Sequence, residues 1–302
     1  MRSHPASLLL LFLIAGSAGL AAWQAARVRA TTPGPLVSAA THLLKDGARI
    51  VHLGDVNHRR NVALAAWLAS RRHLHFLKAA GFTALCLETS TRLQPFADKL
   101  AAGRIRVSDY VGSATALGFV PVGGTHRLVL EGRIIRAAAA EGLRVCLGDP
   151  DNGNEEGLAY QRALHDAGIN GFFGDFGAAG EIDRRWPQLG EDERTRLDSL
   201  RAAWHRVRTD DRQLAATLAD LVAPGGRVLL VYGAEHGAGA HDLNELLAAR
   251  GVTLVRINVY PDRREFDRHA VAAPMDPPRG DFILTDRLYL DHANPPPQHP
   301  AN

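Results

Sequence analysis

The sequence predicts an α/β fold: three layers, αβα, around a mainly parallel central sheet, with flanking helices and a helical insertion. Three observations carry this prediction. Short aliphatic runs alternate with helically spaced stretches between residues 49 and 260. The runs are nearly continuous rather than alternating apolar and polar, as strands covered on both faces require. Several of the helical stretches stop at a glycine, after which a new aliphatic run begins.

The elements come in this order. Met1-Arg2-Ser3-His4 is short and basic, Leu8 to Ile14 is nearly all aliphatic, and small residues run from Ala15 to Ala22. This is the pattern of a secretory signal over residues 1–30, with a cut near Ala21. The apolar stretch 6–23 also approaches the length of a spanning helix, so an uncleaved inner-membrane anchor is the alternative. The first 30 residues contain no cysteine, which excludes a lipoprotein anchor. The expectation is an exported chain, periplasmic or anchored, touching membrane only through this segment. Thr31-Thr32-Pro33-Gly34-Pro35 opens a linker expected over 31–38. A single domain is expected over 39–290, and a disordered, Pro-rich tail over 291–302.

Within the domain, Arg49 to Leu53 reads as a strand ending at Gly54, and Asn61 to Ala80 as one helix stopped by Gly81. Thr83 to Leu87 is the next strand. Arg127 to Ala140 is a helix, Leu143 to Leu147 a strand, and Gly148-Asp149-Pro150-Asp151 a turn. Residues 152–200 read as a lid or inserted helical hairpin, including a polar helix from Glu191 to Arg201. Gln213 to Val222 is helical, Arg227 to Tyr232 a strand, Leu243 to Arg250 a helix and Val252 to Val259 a strand.

Composition narrows the function. The 302-residue chain is 46% hydrophobic and 22% charged, so it can bury a sizeable core and does not read as disordered. The formal charge is only +3, with arginines spread along the chain; no recognition motif or basic stripe points to nucleic acid. Cys86 and Cys146 each lie in an apolar run, as buried thiols or, in an oxidising compartment, a disulfide.

In parallel sheets, sites form beyond the carboxyl ends of strands. There the sequence places Asp55 and His58, Glu88, Asp149 and Asp151, and Glu235 and His236. An acid and an imidazole three residues apart can act on one substrate, share a metal, or pair a base with the group that orients it. The glycines in Gly233-Ala234-Glu235-His236-Gly237 let backbone approach a ligand. Taken singly, each of these residues could be an ordinary loop or capping residue; the candidate site is the set Asp55, His58, Glu88 and His236. No Gly-x-Ser-x-Gly turn, zinc-knuckle cysteine pair or phosphate-binding glycine loop is present, and Val51-His52-Leu53 stand before Gly54 where a metallophosphoesterase would have Asp-x-His.

Residues 50–88 resemble the opening signature of the TraB, ChaN, Tiki and erythromycin-esterase-like superfamily. The matching residues are Gly54-Asp55-Val56-Asn57-His58, Gly81-Phe82 and Leu85-Cys86-Leu87-Glu88. Gly233 and His236 match a second strand–Gly–x–x–His element, and Asp211, Leu214 and Ala215 match a helix preceding it. The chain carries Asp55 where the family usually has Glu, and Asp210 where it has Arg.

The resemblance implies an envelope hydrolase acting on an ester or peptide bond of a small-molecule or peptide substrate. His58 would be the base, Asp55 and Glu88 its orienting partners, and His236 an acid for the leaving group. These four could also hold a divalent Zn, Mn or Co ion. The alternatives are a haem- or iron-binding envelope protein without catalysis, ligated by an exposed tyrosine such as Tyr110 or Tyr160, and a catalytically degenerate partner protein.

Overall fold

The computed structural model describes residues 33–56, 62–119, 125–151, 154–169, 184–208, 210–223, 225–234, 243–269 and 279–292. Helix α1 (Pro35–Lys45) leads into strand β1 (Ile50–Asp55). Helices α2 (Val62–Leu68) and α3 (Arg71–Ala79) precede β2 (Ala84–Ser90). Helices α4 (Gln94–Ala101), α5 (Val107–Ala116) and α6 (Thr125–Ala140) precede β3 (Arg144–Asp149). A hairpin of α7 (Asn154–Asp166) and α8 (Glu191–Arg208) comes next. Helix α9 (Arg212–Val222), β4 (Val228–Gly233), α10 (Leu243–Ala248) and β5 (Leu254–Tyr260) follow. Helix α11 (Arg263–His269), β6 (Gly280–Ile283) and β7 (Leu288–Asp291) close the order.

The strands form one sheet in the order β3-β2-β4-β1-β5-β6-β7, parallel throughout except for the β6–β7 pair. The predicted α/β class with a mainly parallel sheet is what the chain adopts. Every residue of β1 is buried, as a central strand covered on both faces must be. Successive side chains point to opposite faces. Val51, Leu53, Leu85, Leu87 and Leu229 join a large core with residues of α1 to α6, while Ile50, Ala84, Cys86, Val228 and Leu230 join a smaller one beneath α9 and α10. The α7–α8 hairpin has its own apolar cluster of Tyr160, Ala163, Leu164, Ile169 and Leu197. It is the helical insertion, placed between β3 and α9.

Three expectations change. Helix α1 begins at Pro35, so the second half of the expected linker is helical. Proline suits a first helical turn, and Leu36, Val37, Ala40, Leu43 and Leu44 give the helix a buried face. The helix expected as one piece to Ala80 is two, because Ser70 takes the extended cap position of α3. The break is closed by His73, whose ring stacks on Trp67 with centroids 4.6 Å apart and whose Nδ1 lies 2.9 Å from the Trp67 carbonyl. Asp291, expected to start the tail, ends β7, and its carboxylate lies 3.2 Å from Arg279. Cys86 and Cys146 are the buried thiols expected, register partners on β2 and β3, with Cys146 Sγ donating to the Leu147 carbonyl at 3.8 Å.

Candidate active site

The middle of the sheet contains a switch point. β1 and β4 are neighbours, with Asp55 opposite Gly233. The chain leaving β1 reaches α2 and α3, whose Leu64, Leu68, Leu74 and Leu77 pack in the large core. The chain leaving β4 reaches α10, whose Leu243 and Leu247 pack in the small core on the other face. Connections that diverge to opposite faces open a crevice at the carboxyl ends of the strands between them. β2, carrying Glu88, flanks β4 on its other side. Three adjacent strand ends therefore hold Asp55, Glu88 and Gly233. His58, Glu235 and His236 lie outside the described residues.

Asp55 is only 7% exposed, and its carboxylate lies 4.0 Å from the guanidinium of Arg127 on α6. Its carbonyl accepts the Ala234 N–H at 3.1 Å, which extends the β1–β4 ladder past Gly233. Gly54 permits a close approach: a Cβ there would stand 3.0 Å from Asn258 Oδ1 and 3.2 Å from Ala234.

Glu88 has a defined backbone role. The β2–β4 ladder ends at Leu87–Val231, where β2 shifts register toward β3. Beyond it, the Gly233 N–H donates to Glu88 Oε2 at 2.6 Å. A side chain thus replaces the missing backbone partner and fixes Gly233 at the end of β4.

The neighbouring strand end is also acidic. Asp149 Oδ1 accepts the Asp151 N–H at 2.8 Å, and Ser90 Oγ donates to the Asp151 carboxylate. Asp151 adopts φ 61°, a left-handed conformation that Asp tolerates better than most residues. Tyr232, buried beside Glu88, Asp149 and Asp211, has its hydroxyl held well above its ordinary pKa by burial first and by those carboxylates second. Asp211, buried at the start of α9, thereby joins the same edge.

Two residues absent from the sequence-based candidates reach this edge from α6. Arg127 faces Asp55. Glu131, one turn further on, accepts hydrogen bonds from Tyr110 Oη and from Thr89 Oγ1, the latter at 2.9 Å. Burial raises the Glu131 carboxyl, against the lowering effects of these hydroxyls and of Arg127. Asn258 on β5 is the third omission. Its signal was available, since Arg256, Asn258 and Tyr260 are polar at alternate positions between Val255, Ile257 and Val259.

The two tyrosines expected to be exposed are not. Tyr110 is buried in the large core, and Tyr160 is buried and stacked on Trp204. Neither is placed to ligate haem as an exposed residue. A metal fares no better among the described residues, where no group of three or more His, Cys, Asp or Glu side chains could hold one. Glu88 Oε2 accepts the Gly233 N–H and Asp55 faces a guanidinium, while His58 and His236, the other two expected ligands, lie outside the described residues.

No family model matches the chain. No curated protein matches it either. Among solved structures it is similar to the type III effector HopBA1, with 14% identity over 76% of this chain and 85% of that one, at a TM-score of 0.44. It is also similar to ChaN of Campylobacter jejuni, described with cofacially bound haem, with 14% identity over 74% and 84% and a TM-score of 0.44. The MARTX toxin effector domain RRSP from Vibrio vulnificus gives 14% identity and a TM-score of 0.38, over 73% of this chain but only 35% of that one. Likeness at this level carries no functional conclusion for the chain.

Proposed function

We propose that the chain is a hydrolase of ester or peptide bonds whose site is the crevice between β1, β4 and β2. The observation that supports this reading is the switch point itself, with Asp55 opposite Gly233 and Glu88 bonded to the Gly233 N–H. In sequence, His58 lies three residues past Asp55 and His236 three past Gly233. In the proposed reaction, His58 takes a proton from water as its oxygen attacks the carbonyl carbon. Asp55 holds the imidazole in orientation. As the tetrahedral adduct collapses, His236 gives a proton to the departing oxygen or nitrogen, and carboxylic acid and alcohol or amine are released.

The N-terminal pattern supports an exported location, as a further part of this proposal. Among the described residues no helix is long and apolar enough to cross a membrane, and residues 1–32 lie outside them.

The test is a panel of activated esters and short peptides, assayed with the wild-type chain and with His58→Ala and His236→Ala. The expected result is turnover that falls by about a hundredfold or more in each variant. Turnover that survives both substitutions would overturn the reading, as would an inactive wild type. Haem titration of the same three proteins separates a haem-binding role, which would show a Soret band.

A further inference from the structure

Glu131 stands in an unexpected position. Along α6 the stripe at 128, 131, 135 and 138 faces the large core, and Leu128, Ile135 and Ala138 are buried there. A carboxylate interrupts that stripe at the end nearest the strand ends. An apolar residue would pack there at no electrostatic cost, whereas a carboxylate must be desolvated and supplied with donors. Donors are supplied: Thr89, next to Glu88 on β2, and Tyr110 on α5. Gly132 serves the same arrangement, since a Cβ there would come within 2.9 Å of Val107 and 3.6 Å of the Tyr110 ring. One helical turn before Glu131, Arg127 lies on the same face and meets Asp55. Asp55 is almost wholly buried, and the Arg127 guanidinium is the cation placed 4.0 Å from its carboxylate.

We infer that Arg127 and Glu131 are positioning residues for the strand-end site: Arg127 holds the carboxylate of Asp55, and Glu131, one turn further on, holds the helix that carries Arg127 against α5 through Tyr110. Glu131 also registers α6 against β2 through Thr89, so one helix is fixed to both carboxylate-bearing strand ends. Neither residue touches the reacting atoms; both act through Asp55. The inference rests on the proposed hydrolytic reading.

The test compares wild type, Arg127→Ala, Arg127→Lys and Glu131→Gln for kcat, KM and melting temperature, on whichever ester or peptide the panel identifies. Loss of orientation without loss of substrate contacts lowers kcat and spares KM. Arg127→Ala is expected to lose about a hundredfold in kcat, and Glu131→Gln about tenfold. Arg127→Lys, which keeps the charge, is expected to recover about tenfold over Arg127→Ala. Glu131→Gln should melt no lower than wild type, which a merely structural role does not predict alongside lost activity. An active wild type with an indifferent Arg127→Ala would overturn this inference alone. So would a Glu131→Gln variant with full kcat. An inactive wild type would overturn the hydrolytic reading, and this inference would fall with it.

Discussion

The Glu88–Gly233 hydrogen bond makes a prediction whose size can be worked out. In Glu88→Ala the Gly233 N–H loses its acceptor at the point where the β2–β4 ladder has already ended. A hydrogen bond to a charged acceptor contributes a net 1.5–3 kcal/mol, and an orphaned buried donor costs a similar amount, so the expected loss is about 2 kcal/mol. For a domain of this size, about 1 kcal/mol moves the melting temperature by roughly 2–4 °C, which gives a fall of about 4–8 °C. Glu88→Gln keeps an oxygen in place and loses only the charge assistance, so about half that fall is expected. Thermal melts followed by circular dichroism and urea titrations give both values. The distinctive outcome is the order: wild type above Gln, Gln above Ala. An Ala variant melting within about 1 °C of wild type would show that the Gly233 N–H finds another partner and that Glu88 does not brace the strand end. Activity adds a separate axis, because the Gln variant is expected to lose turnover out of proportion to its small loss of stability.

Three further predictions concern neighbouring residues. Gly54→Ala should cost about 1–2 kcal/mol in urea denaturation and lower turnover more than stability, since its Cβ would press on both Asn258 and Ala234; unchanged turnover would mean that the spacing between β1, β4 and β5 is not critical. Cys86 and Cys146 should be silent toward a thiol reagent in the native protein and react as two thiols after denaturation without reductant, their burial being the cause; no reactive thiols after denaturation would mean that they pair as a disulfide. Burial holds the Glu131 carboxyl above its ordinary value, so the folded state disfavours its ionisation. The wild type therefore loses stability as pH rises from the ordinary carboxylate range through the raised value. Glu131→Gln is insensitive there, so its stability relative to wild type should climb over that window. A relative stability that falls with rising pH would mean that Arg127 and the two hydroxyls outweigh burial.

The legible and illegible parts of the chain divide on a physical line. The strands β1 to β5 announced themselves as aliphatic runs, and Asp55 and Glu88, at the carboxyl ends of β1 and β2, could be picked out because a strand's end is visible in sequence. β6 was not visible: it is four residues long, and Gly280 and Asp281 make up half of it. Helix α5 hides for a related reason, since Gly112 and several small polar residues blur its apolar face. What sequence position cannot convey is which side chain crosses from a covering helix to the edge of the sheet. Arg127 is far in sequence from both Asp55 and the partner strand β4, and it belongs to a helix that otherwise packs the core.

Yet such residues do leave a trace, of a different kind from a motif. Glu131 breaks an apolar stripe of helical period, and Arg256, Asn258 and Tyr260 break an apolar strand at period two. A polar group that packing does not favour persists when it does something that packing cannot. In α6 the misplaced carboxylate stands one turn from Arg127, and the Arg127 guanidinium leads to Asp55. In β5 the polar period leads to Asn258, which sits against Gly54, next to Asp55 at the end of β1. Both trails end at the crevice that the strand ends had already marked. The two signals are independent, because one is a polar residue at the end of a strand and the other is a polar residue that interrupts a buried face.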